Sequence, residues 1–414
     1  MKQYHFLRGI SLLLNLLLFI SVQAQIVKPP TSRTANYQYA STKINDLIHT
    51  KLDLKFDYGK CYVYGRASIT LKPHFYPTDS LRLDAKGMDL KNISVLKQGR
   101  YVPLKFSYDS LTVAITLDKT YNQSEHYTLY FEYTAKLDAS KVRNEPHGLY
   151  FINPEGKEKG IPTQIWTYGE PECNSFWFPT IDKPNQKTTE EISLTVPGKF
   201  ITLSNGRLTF QKKHPDGTRT DTWKMDLPHA PYLFMIAVGN FTIVKDSWHG
   251  KEVSYYVEPR YAKDARVIFS EIPEAMNFFS KTLGVEYPWN KYAEIRVHGF
   301  NGAMENTTAT EFNEDGQGSP RELADHGYDS GNVHELFHQW FGDYVTAESW
   351  SNLPLNESMA VLGKSSGLNT NMGRMLPMNM FTRACKVIFV FDRLRFILDP
   401  RADDKLIMMS RKRL

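Results

Sequence analysis

Residues 334–338 read His-Glu-Leu-Phe-His, and Glu357 follows after eighteen intervening residues. Two histidines at i and i+4 stand one above the other on a helix face, so a helix here brings both rings to one point. The spacing H-E-x-x-H is that of a zinc hydrolase: His334 and His338 bind the ion, and Glu335 between them is placed as general base. Glu357, on the next helix, is the candidate third ligand. Three protein ligands leave a fourth position for water, which a catalytic zinc needs and a structural zinc lacks. The chain must therefore fold so that two helices present these groups to a shared cleft.

The length of 414 residues is enough for two or three domains with their own cores. Apolar residues at 41% and aromatics at 13% describe a globular chain. A net charge of +5, dispersed along the sequence, gives no footprint for nucleic acid. The three cysteines, Cys61, Cys173 and Cys385, form no C-x-x-C pair and no disulfide framework, and read as small buried apolar side chains.

The first 24 residues have the pattern of a secretory signal peptide. Lys2 and Arg8 make a basic start, Ile10 to Val22 is almost wholly apolar, and Val22-Gln23-Ala24 is a small-x-small cleavage site. The apolar run is short for a membrane span, and no later stretch is long and apolar enough. The expected product is exported, to the periplasm or outside the cell, without a stable membrane span. Residues 25–44, with Pro29-Pro30, read as a flexible lead-in. From 45 to 246 the pattern is one of short strands, as in Leu52-Leu54-Phe56 and Val63, Ala67, Ile69, Leu71, with further strands at 111–117, 127–133, 191–196 and 232–242. From 247 the period changes. Ile268, Ile272, Met276, Phe279 and Leu283 recur at helical spacing; Pro273 predicts a kink or a fresh start, and Gly284 a C-cap. Tyr292 to His298 alternates again as a strand. His298 and His326 lie outside the ligand spacing and read as structural.

The run His334-Glu335-Leu336-Phe337-His338-Gln339-Trp340-Phe341-Gly342-Asp343, with Val345-Thr346, Glu348-Ser349-Trp350 and Asn356-Glu357, closely resembles the M1 family of zinc aminopeptidases. Upstream, Gly302-Ala303-Met304-Glu305-Asn306 looks like that family's G-x-M-E-N exopeptidase motif. The resemblance covers roughly residues 45–360. It implies an α+β multidomain protein: an antiparallel β-saddle or sandwich domain at 45–246, then part of a thermolysin-like mixed α/β catalytic domain at 247–360. It also implies one Zn2+ per chain and peptide substrates with a free N-terminus. Gly302 to Asn306 would line the substrate, its edge strand pairing with a peptide backbone. Glu305 would hold the α-ammonium by a charge-assisted hydrogen bond. Met304 serves equally well as core. Glu170, in Thr167-Tyr168-Gly169-Glu170, falls at the acidic position of a family loop that reaches the same amino terminus, with Tyr168 where a Gln is usual.

The family's oxyanion tyrosine comes from a helix beyond the third ligand, and no Tyr follows Tyr344 here. Residues 361–414 are rich in Met and Arg, without a clean helical period. Back-translated in a shifted frame, residues 366–388 spell a polar-aromatic helix of the kind expected after the third ligand. The expectation is a frameshifted, truncated tail and an impaired product. The alternative is a non-catalytic zinc- or peptide-binding remnant. An endopeptidase or an epoxide hydrolase on the same motifs has less support.

Overall fold

The computed structural model describes residues 40, 42–137, 148–318, 321 and 331–371, with side chains to Lys364. The expected signal peptide, most of the lead-in, His326 and Cys385 lie outside the described residues, as does the tail beyond Asn371.

The first part is built from strands. An eight-stranded sheet has the spatial order 207–213, 218–229, 188–197, 45–57, 62–73, 127–136, 88–97, 100–103. All its pairings are antiparallel except that of Asn45–Asp57 with Thr188–Pro197. The alternation read in the sequence is the cause. Along Thr188–Pro197 every second residue is buried, and Ile192, Leu194 and Val196 enter the core. The hairpin between Asn45–Asp57 and Tyr62–Pro73 closes where the Asp57 carboxylate accepts the Lys60 N–H at 3.1 Å. A three-stranded sheet and a four-stranded sheet complete this part. Their inner faces share a continuous core with the large sheet, which includes Leu52, Ile69, Phe131, Trp166 and Val238.

The stretch 232–242, expected as a strand, is divided. Pro231–Leu233 forms a 3-10 turn, Ile236–Gly239 is a short strand, and Thr242 begins the next strand. Pro231 fixes its own φ at the first position of the turn, and this breaks the extended run. Tyr232 packs with Ala230, Leu233 and Met304, apart from the large core.

The second part is a five-stranded mixed sheet, order 242–248, 251–257, 291–297, 309–313, 303–304. Thr242–Trp248 pairs with Lys251–Val257, so the expected boundary at 246/247 falls inside a strand that belongs to the second sheet. Ala265–Ile268 is one helical turn, and a fresh helix, Ile272–Leu283, begins with Pro273 in its first turn. Gly284 ends it with φ +69°. This helix buries Ile272, Ala275, Met276 and Phe279. Phe279 meets Phe337 of the helix Gly331–His338 edge-on, with centroids 4.9 Å apart. Side chains of this size contribute roughly 1.5–3 kcal/mol each when fully buried. Pro354–Asn371 packs on the same helix and runs through the expected break at residue 360. Among the described residues no helix is long and apolar enough to cross a membrane.

Candidate metal centre

His334 and His338 lie on one face of the helix Gly331–His338, as the i,i+4 spacing requires. Their Nε2 atoms are 3.1 Å apart. Glu357, in the first turn of Pro354–Asn371, brings one carboxylate oxygen 3.5 Å from His334 Nε2 and the other 3.7 Å from His338 Nε2. Zinc bonds of about 2.0–2.1 Å put the donors of a tetrahedral site about 3.3–3.4 Å apart. The three donors already stand near those separations, so the set fits zinc. His338 Nδ1 donates to the Phe341 carbonyl at 3.0 Å, which leaves Nε2 free as a ligand atom.

Two glycines let this arrangement close. Gly342 has φ +133°, and a Cβ there would stand 2.9 Å from His338 Nδ1. The tight turn after the helix is thus what folds the Phe341 carbonyl back onto the His338 ring. Gly363 lies over Phe337, where a Cβ would fall 2.3 Å from the ring. The two helices approach closely at that point, six residues along from Glu357.

Carboxylates crowd the centre. Glu335 is buried, and one of its oxygens lies 3.9 Å from His334 Nε2. Burial, reinforced by Glu305, Glu357 and Glu170, pushes its carboxyl well above the usual range. Burial and then Glu357 raise Glu305 to about 7. Burial, then Glu305 and Glu357, raise Glu170 to about 8. At Glu357 burial also opposes ionisation, but the His334 and His338 rings prevail and hold its carboxyl below the usual range. Acids this close disfavour one another's ionisation, and positive charge placed among them would relieve that.

The G-x-M-E-N segment forms the sheet edge beside this centre. Ala303–Met304 pairs antiparallel with Ala309–Asn313, and Gly302 has φ +135°. Met304 is core, packed with Ala230, Tyr232 and Leu233. Glu305, Glu335 and His338 present ligand atoms within 4.8 Å of one another. Asn306 turns inward and is fully buried. Glu170 accepts from the Tyr168 hydroxyl at 3.3 Å, so the residue standing in place of Gln still contacts the acid. His298 is elsewhere, bonded to Glu258 at 2.6 Å.

Three polar residues without an assigned part in the sequence reading also converge here. The Tyr232 hydroxyl lies 3.4 Å from Glu305 and 3.4 Å from the Gly342 carbonyl. Asn356 donates to that hydroxyl at 3.3 Å and accepts from the Ala347 N–H at 3.1 Å. Gln339 donates to the Glu305 carbonyl at 2.9 Å. Gln339 and Asn356 sit inside the motif run itself. Tyr232 had no local signal beyond its proline neighbour.

A family model described as the peptidase M1 N-terminal domain matches residues 37–233, and one for the peptidase family M1 domain matches 269–390. Glutamyl aminopeptidase of Rattus norvegicus is 30% identical over 256 residues, covering 59% of this chain and 26% of its own. Aminopeptidase N of Caulobacter vibrioides is 28% identical over 216 residues, covering 49% and 25%. The chain thus spans about a quarter of the length of these relatives. A solved mutant M1 zinc metallopeptidase from Deinococcus radiodurans, bound to a Tyr-Ser-Ala substrate, superposes with a TM-score of 0.67 at 20% identity. That match covers 81% of this chain and 73% of the other.

Proposed function

The chain belongs to peptidase family M1, and from that premise we propose that it is a zinc-dependent aminopeptidase that releases N-terminal residues from peptides. The observation that carries this reading is the set of three donors 3.1–3.7 Å apart, with Glu335 and Glu305 beside them. His334, His338 and Glu357 would hold one zinc ion, whose Lewis acidity makes water a nucleophile at neutral pH and polarises a peptide carbonyl. Glu335 takes the proton of the attacking water and returns it to the leaving amine. The charge of a bound dication would offset the burial that raises the Glu335 carboxyl, leaving it able to accept that proton. Glu305 and Glu170 hold the substrate ammonium, and Ala303–Met304 offers an edge for its backbone. An anchor for the free amine beside the metal donors restricts cleavage to the first peptide bond. The leader at residues 1–24 would export the protein.

A second reading is a module that binds zinc or peptide without turnover. Metal analysis and hydrolysis of an amino-acid anilide separate the two readings. One zinc per chain, with turnover abolished by a chelator and restored by zinc, supports the enzyme. One zinc per chain without turnover supports the binding module.

A further inference from the structure

Glu305 can select a free amine only if its distance from the metal centre is fixed. Thr308, three residues on, is a β-branched residue at φ +67°, a conformation that surrounding contacts must impose. Those contacts come from three separate parts of the chain. Lys291 Nζ, fully buried, donates to the Thr308 carbonyl at 3.0 Å, to its hydroxyl at 3.2 Å and to the Ser204 carbonyl at 3.1 Å. From the first part of the fold, Asn205 donates to the Thr307 carbonyl at 2.7 Å and the Gly206 N–H to the Thr308 hydroxyl at 2.8 Å. Just past the helix Gly331–His338, Gln339 Oε1 accepts the Thr308 N–H at 2.8 Å while Nε2 donates to the Glu305 carbonyl at 2.9 Å.

Gln339 directly follows the ligand His338 and is fully buried. One amide therefore grips the loop at both Glu305 and Thr308. Its backbone is continuous with the histidine that would bind the metal. Lys291 secures the same loop through the Thr308 carbonyl and hydroxyl.

We propose that Gln339 and Lys291 are positioning residues that set the spacing between the metal centre and the amine anchor, and so confer the preference for a free N-terminus. This rests on the reading of Glu305 as that anchor. The chemistry recognised is an α-ammonium one residue from the scissile bond.

The test uses the zinc-loaded full chain carrying Glu335→Gln, which removes turnover, and measures binding of one short peptide and its N-acetylated twin. The free-to-acetylated affinity ratio is the readout, with zinc content measured alongside. Gln339→Leu should cut the ratio about tenfold, the effect of losing one buried hydrogen-bonded contact. Lys291→Met should cut it in the same direction, with zinc retained in both. With Glu335 restored, Gln339→Leu should raise KM for the free peptide more than it lowers kcat. If Glu305→Ala collapses the ratio while both variants leave it intact, the positioning inference is wrong and the anchor reading stands. If the variants weaken both peptides equally, or lose zinc, the inference is again wrong. If Glu305→Ala itself leaves the ratio unchanged, the anchor reading fails and this inference fails with it.

Discussion

At Gly342 a missing side chain leaves room for the ring of the candidate ligand His338. A methyl there would press on His338 Nδ1, at a φ that L residues rarely adopt. Gly342→Ala should disturb the Phe341 carbonyl that orients the ring, and weaken zinc binding about 10–100-fold, as loss of a ligand's supporting hydrogen bond does. Competition with a chelator of known affinity measures this; unchanged affinity would remove Gly342 from the account. Glu335→Gln should retain zinc and lower kcat by about a hundred- to ten-thousand-fold. Steady-state kinetics beside metal analysis would check it, and retained turnover would exclude Glu335 as the base. The juxtaposition of His334 and His338 was legible in the sequence because helical spacing alone sets one ring beside the other. Glu305 and Glu170 were legible only by resemblance. Tyr232 was not legible, since its partners Glu305 and Asn356 lie 73 and 124 residues away.

Two helices and one turn decide whether the centre forms. Gly363 allows Pro354–Asn371 to lie against Phe337, which brings Glu357 to the two histidines. Gly363→Ala should overpack that contact, costing about 1–3 kcal/mol, and should loosen zinc binding as well. A lowered unfolding midpoint with lowered zinc affinity is expected; an unaffected protein would mean the helices do not pack this closely. At this scale the sequence was readable where one periodicity ran unbroken. Thr188–Pro197 and Ile272–Leu283 follow from alternation and helical spacing. The 3-10 turn at Pro231–Leu233 was hidden because apolar residues flank it on both sides, and only Pro231 signals the break. The strand Thr242–Trp248 could not be assigned to a sheet from its own residues, because pairing is a tertiary choice.

Across the whole molecule, buried acids outside the metal centre bind stability to pH. Asp182 is fully buried, and burial raises its carboxyl from 3.8 to about 7, against the bond it accepts from the Ser175 N–H at 2.8 Å. Between those values the folded chain holds a proton that the unfolded chain has released. The Asp182 contribution therefore falls as pH rises from about 4 to 7, by an amount on the order of 4 kcal/mol. Asp182→Asn should become progressively more stable relative to the parent over that window, as denaturant unfolding at pH 4, 5.5 and 7 would register. A pH-independent difference would contradict the assignment. The overall architecture, a strand-rich part followed by a mixed sheet with helices, was legible because the pattern changes period along the chain. The buried network that joins those parts through Lys291, Asn205 and Gln339 was not, since each bond spans distant segments.

The central claim is that a free amine and a metal centre act together on the first peptide bond. Product analysis by mass spectrometry, on a peptide and its N-acetylated twin incubated with zinc-loaded protein, tests it most directly. Release of the first residue from the free peptide alone is the predicted result. Internal cleavage, equal cleavage of the acetylated twin, or no cleavage with zinc fully bound would contradict it.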